Sequence, residues 1–358
     1  MNRRFILLAL PLAVLTACSS DDGETGDNSG TPLQESKPFV FNVSQEPLTD
    51  PDHPGTRTAI QTEETFQTFY MNYYVDGTLG NENFFMNFTT VNKDGAHTWK
   101  ADKMWPSGNT QNKPVHFFAY ANVDYNAADD QYGEGLLMIK DDTEPVQHYL
   151  KDIEIDEAAA HQKDMLVAKA TQTEPTETTT KAVSLKFSHA CSALQFYVCK
   201  TAALSDFNVT VKRIILHNIK KKANYSFDTD GWFDFSESAD DKTHFTLKAY
   251  NNGADASETG VLVPLENEAH SNSLLLAPNA NDYMFVIPQT VTPWDYASNG
   301  AYIEIQCSIT KGEKTYDDSG RVYLPFTDTW EKGCIHRYNI RMGTSLRNIS
   351  GAPIDFSN

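Results

Sequence analysis

Cysteine is scarce in this chain: there are five among 358 residues, and no two stand at a Cys-x-x-Cys spacing. That removes zinc-ribbon and thioredoxin-type chemistry. Basic charge is also short, 29 Lys and Arg against 48 Asp and Glu, for a formal net charge of −19. A body this acidic repels phosphate backbones and anionic headgroups, which excludes nucleic acid and a basic membrane-docking face as partners. No Gly-x-Ser-x-Gly elbow, His-Glu-x-x-His helix, phosphate-binding glycine loop or dinucleotide fingerprint occurs, so the common catalytic and cofactor signatures are missing. The chain reads as non-enzymatic, without cofactor or metal. The nearest approach to a metal loop, Asp228-x-Asp230-Gly231-x-x-Asp234, lacks the closing glutamate of a calcium site and reads as a hairpin turn.

Long apolar runs are missing too. The most apolar stretch, residues 5–17, holds thirteen positions and includes Pro11. As a helix at about 1.5 Å per residue it covers about 20 Å, short of a hydrocarbon core of about 30 Å. With Arg3 and Arg4 before it and Leu15-Thr16-Ala17-Cys18 at its end, it has the make-up of a lipoprotein signal peptide. Cleavage is expected between Ala17 and Cys18, leaving Cys18 as the lipidated first residue, with two or more acyl chains needed for stable anchoring. Removing residues 1–17 leaves 27 basic against 48 acidic side chains, a net charge of −21. Residues 18–37 are acidic and poor in apolar side chains, and read as a flexible tether.

What the chain does have favours strands: 20 Phe, 16 Tyr and 5 Trp, with abundant Val and Thr. Alternating segments recur from residue 38 to residue 342, and only 151–163 has a spacing that suggests a helix. The fold class expected is all-β, as two tandem β-sandwiches. The first covers 38–168 and the second 182–358, with the Thr- and Glu-rich stretch 169–181 as linker. Within the first, Phe39, Phe41 and Val43 alternate onto one face of a strand over 38–44. A loop with three prolines then leads to Thr56-Arg57-Thr58.

Candidate chemistry is thin. His189 stands between Ser188 and Ala190 in an apolar run and reads as a core or edge histidine bonded to backbone. Cys307 and Cys334 either bridge neighbouring strands or remain thiols. Cys191 and Cys199 lie eight residues apart on one apparent strand, about 26 Å when extended, so they do not bridge each other.

Several short motifs occur in a fixed order: the Cys18 start, Thr56-Arg57-Thr58, Trp99-Lys100-Ala101-Asp102 with Trp105-Pro106, and His116-Phe117-Phe118-Ala119-Tyr120. Lys163-Asp164-Met165-Leu166-Val167-Ala168, Leu185-Lys186-Phe187-Ser188-His189-Ala190 and Trp330-Glu331-Lys332-Gly333 before Tyr338 complete the set. In this order they resemble the fimbrillin family of Bacteroidetes, subunits of surface fimbriae. The resemblance implies two transthyretin-like β-sandwiches, export as a lipoprotein to the surface of the outer membrane, and assembly with other fimbrial subunits by strand exchange. It also implies contact with a host or bacterial surface receptor. Trimming between Arg57 and Thr58 would release the strand carrying Phe39, Phe41 and Val43. A donor strand would come from the C-terminal region, where Tyr338, Ile340 and Met342 alternate. An ordinary surface arginine remains the other reading of Arg57, and shaft, tip or accessory, and anchor roles all stay open. A rival reading is a glycan-binding surface lipoprotein of a polysaccharide-uptake system. Its platform would be Trp232, Trp294 and Tyr296, which otherwise serve as core or turn residues.

Overall fold

Period-two alternation of apolar and polar side chains makes strands, and strands are nearly all the regular structure among the described residues. The computed structural model describes residues 37–50, 57–58, 66–76, 87–96, 98–105, 112–124, 137–140, 147–173, 182–236, 242–251, 254–267, 273–276, 283–294, 300–323 and 328–343. Residues 1–36, with Ala17 and Cys18, lie outside them, and so does Tyr296. Among the described residues the helical content is a single 3₁₀ turn, Ala202–Leu204. No described helix is long and apolar enough to cross a membrane.

The first sheet closes on itself. Its strands are β1 (Pro38–Gln45), β2 (Thr68–Val75), β3 (Asn87–Lys93), β4 (Trp99–Met104) and β5 (Pro114–Ala121). After β6 (Gln147–Glu154), which pairs elsewhere, come β7 (Leu166–Thr173) and β8 (Val183–His189). They hydrogen-bond in the order β1-β8-β7-β5-β2-β3-β4, with β4 returning to β1. Phe39, Phe41, Phe69, Met71, Trp99, Phe117, Leu185 and Phe187 fill the interior. Of the segment 169–181, expected as an interdomain linker, residues 169–173 are therefore part of β7, and the rest joins it to β8 of the same sheet. Val183, Leu185 and Phe187 point inward and Ser184 and Lys186 outward, so β8 belongs to the barrel rather than to the body that follows.

That following body is built on β9 (Ser192–Lys200), β10 (Asn208–Lys220), β11 (Lys222–Ser226), β12 (Lys242–Lys248), β13 (Tyr302–Lys311), β14 (Lys314–Tyr323) and β15 (Ile335–Met342). One sheet runs β12-β10-β13-β14. In another, β9 pairs antiparallel with Leu274–Leu276 and Met284–Val286 and parallel with β15. Their inner faces form a second apolar cluster that includes Phe196, Phe245, Phe285 and Trp330. Residues 36–358 pack as one unit, because β5 and β7 serve both clusters. Val115, Phe117, Ala119 and Leu166 face the barrel interior, while Phe118, Tyr120 and Val167 face the second cluster. Burial on both faces is why β5 and the first three residues of β7 read as apolar runs rather than alternating ones.

The helix expected over 151–163 is not there. Strand β6 occupies the segment to Glu154 and pairs with β11, and bends and turns follow. Between Leu150 and Ile153 it carries one more residue than its partner, with Asp152 at φ 55° and its amide on Asn224 Oδ1 at 2.8 Å. This bulge brings Leu150 and Ile153 to the same buried side, so a strand takes on the i, i+3 spacing of a helix. The hairpin expected after Asp228 is present, with β11 paired to Gly231–Phe233. All four described cysteines are thiols; Cys191, Cys199 and Cys307 are buried and Cys334 is half-buried. There is thus no Cys307–Cys334 bridge.

Candidate functional site

Strand β1 is held between two neighbours. It runs parallel to β8, with Phe41 opposite Val183, Val43 opposite Leu185 and Gln45 opposite Phe187. On its other side it runs antiparallel to β4, with Phe41 opposite Trp99. The Glu46 amide donates to Phe187 O at 2.7 Å and the Trp105 amide to Lys37 O at 2.8 Å, extending the ladders at both ends. Phe39 and Phe41 are fully buried, and Val43 packs against the same cluster. Phe39 meets Tyr73, Trp105 and Phe117 edge-on at centroid distances of 5.0, 5.1 and 5.2 Å. Phe41 meets Phe69 and Phe117 edge-on. At about 1.5–3 kcal/mol for each such side chain buried, the two phenylalanines alone contribute about 3–6 kcal/mol of gross burial energy. Without β1 the barrel would be open, with unpaired backbone along β8 and β4 and an apolar slot between them.

Beyond Gln45 the chain leaves the barrel and docks on the second body. Leu48 is fully buried in the second cluster. The Thr49 amide donates to Gly333 O at 2.8 Å, and Thr49 forms a parallel bridge with Cys334 at the start of β15. Asp50 is buried, and its carboxylate lies 2.6 Å from Arg337 Nη1, while Arg337 Nε donates to Gln195 Oε1 at 3.0 Å. Leu48 and Thr49 then pair antiparallel with Thr58 and Arg57. The bond joining Arg57 to Thr58 thus lies in a short ladder with the segment upstream of it.

Tyr338, Ile340 and Met342 are already committed within the chain. They lie on β15, buried in the chain's own second cluster and held by the parallel ladder to β9. The Tyr338 hydroxyl donates to Asp328 Oδ2 at 2.6 Å and accepts from Trp330 Nε1 at 2.7 Å. His189 is buried, and its partner is a carboxylate rather than the expected backbone group: Nδ1 lies 2.6 Å from Asp164 Oδ2. Burial pushes the Asp164 carboxyl above its ordinary value, and the hydrogen bond and charge of His189 offset part of that rise. Trp232 donates Nε1 to Ala190 O at 2.6 Å and stands edge-on to Tyr225, and Trp294 stands edge-on to Tyr302. Both are half-buried. Among the described residues no group of three His, Cys, Asp or Glu side chains could hold a metal ion.

Leu48, Asp50, Arg337 and Gln195 escaped the sequence reading. A lone leucine after Pro47 and an acid among prolines look like loop; only the partner side of the contact, far along the chain, gives them meaning.

A family model described as fimbrillin-like matches residues 56–354. No curated protein matches the sequence. Among solved structures, a Bacteroides eggerthii protein provisionally assigned to cell adhesion shares 14% identity, over 90% of this chain and 91% of that one, with a TM-score of 0.43. A Parabacteroides distasonis protein with the same provisional assignment shares 9%, covering 86% and 88%, at a TM-score of 0.46. A fimbrial assembly protein of Parabacteroides distasonis shares 10%, covering 87% and 94%, at a TM-score of 0.35.

Proposed function

The chain belongs to the fimbrillin-like family, and from that premise we propose that it is a non-enzymatic subunit of a surface fimbria whose strand β1 is a removable plug. It is exported as a lipoprotein, anchored through Cys18 to the outer membrane, and associates there with other fimbrial subunits. Cleavage between Arg57 and Thr58 severs the link between β1 and the rest of the barrel and releases the lipid anchor with it. A strand from another subunit then enters the slot by β-augmentation.

The observation that carries this reading is that β1, the first of the described strands, closes the barrel between β8 and β4. It can leave without withdrawing any later strand from the sheet order. The donor is not β15: pulling Tyr338, Ile340 and Met342 out would dismantle the second core.

Mass spectrometry of material sheared from the cell surface tests the reading. A mature N-terminus at Thr58 is expected. Recovery of acylated Cys18 alone, with residues 38–57 still attached, would overturn it.

A further inference from the structure

The surface covered by residues 37–50 is larger than the barrel slot. It continues past Gln45 onto β15, where Leu48 enters the second core, the Thr49 amide bonds Gly333 O, and the Asp50 carboxylate meets Arg337. Asp50 is 1% exposed and Arg337 22%. When the segment leaves, Arg337 keeps its bond to Gln195 Oε1 but loses the carboxylate that lies 2.6 Å from its guanidinium. A neutral replacement there would give up that charge pairing at a half-buried position beside an apolar pocket, which is costly, whereas a carboxylate restores the ion pair.

Resting on the strand-exchange reading above, we propose that the vacated surface is one continuous acceptor with a carboxylate-selective end at Arg337. The incoming strand then carries apolar residues at i, i+2 and i+9 and an Asp or Glu at i+11. That is the register of Phe39, Phe41, Leu48 and Asp50. No register within residues 335–358 of this chain meets it, and a copy already cleaved at Arg57 has lost residues 37–50. The donor we assign is a strand of a partner subunit that carries its acid in this position.

The test uses the full chain with a specific protease site inserted between residues 51 and 56 and cut under native conditions. Fluorescent peptides spanning residues 37–51 are offered to the cut protein, and exchange into it is followed by anisotropy. The wild-type peptide is expected to enter, and the Asp50→Asn peptide to bind at least tenfold more weakly. On an Arg337→Met chain that ratio should fall below threefold, since the coupling is removed. The decisive variation sits in the peptide, so folding of the chain is not at stake. A peptide spanning 335–358 should not compete. Equal affinities of the wild-type and Asp50→Asn peptides would overturn the carboxylate-selective end and leave the slot reading standing. Competition by the 335–358 peptide would overturn this assignment of the donor. Failure of every peptide to enter would overturn strand exchange itself, and this proposal with it.

Discussion

Phe39→Ala is the perturbation that bears most directly on the plug. Phe39 is fully buried and touches three aromatic rings edge-on. Phe→Ala in a packed core costs about 3–5 kcal/mol, as lost transfer energy plus the cavity left behind. Edge-on ring pairs add about 0.5–1.5 kcal/mol each beyond area, which favours the upper part of that range. In the intact chain the loss should appear as a drop in unfolding free energy by guanidinium titration. In a chain cut after Arg57 it should appear as escape of the segment, with affinity reduced by about two to nearly four powers of ten, at about 1.4 kcal/mol per tenfold. Asn42→Ala, on the exposed face of the same strand, is the control and should stay within about 0.5 kcal/mol of wild type. If Phe39→Ala and Asn42→Ala behave alike in both assays, β1 is not what fills the barrel, and the mechanism fails.

Arg57→Ala should leave residues 38–57 on the surface-recovered protein, read as an N-terminus upstream of Thr58; an unchanged Thr58 start would show that the cut does not depend on the Arg57 side chain. The Ser257 hydroxyl and amide, then Lys248, hold the Asp255 carboxyl down to about 2. A depressed carboxyl stabilises the fold above its unfolded pKa of about 3.9 and loses that effect as pH falls toward 2. Asp255→Asn should therefore lower the thermal midpoint at pH 7 but not near pH 2, and a constant difference across that window would contradict the assignment. Of the cysteines in the second body, Cys334 should label with maleimide in the native state, while buried Cys191 and Cys307 should wait for unfolding. A reducing agent should not shift the thermal midpoint, and a clear drop would reveal a bridge.

The strands were legible wherever one face meets water. Phe39, Phe41 and Val43 announce themselves by alternation, and β13 shows the same signal over ten residues, with Ile303, Ile305, Cys307 and Ile309 inward. The bulge at Asp152 hid a strand, because one extra residue turns a period of two into a spacing of three. The placing of β8 was hidden for a different reason. A polar stretch such as 174–181 looks the same whether it joins two domains or two strands of one sheet, and only the pairing of Leu166 with His189 distinguishes them. Asp50 and Arg337 lie 287 residues apart, and no local pattern marks an ion pair made across such a distance. The Asp164–His189 pair was half visible: the histidine drew notice, while its partner lay among 48 acids.

The wall formed by β5 and β7 has a mechanical corollary. Phe117 and Phe118, adjacent in sequence, are anchored in different cores, so the barrel and the second body are joined through the middle of shared strands rather than at a pliable joint. A pull applied at the slot would enter the second body through these shared strands. In a filament, each such link would extend little before it broke, and stiffness would be set inside the subunits as much as between them.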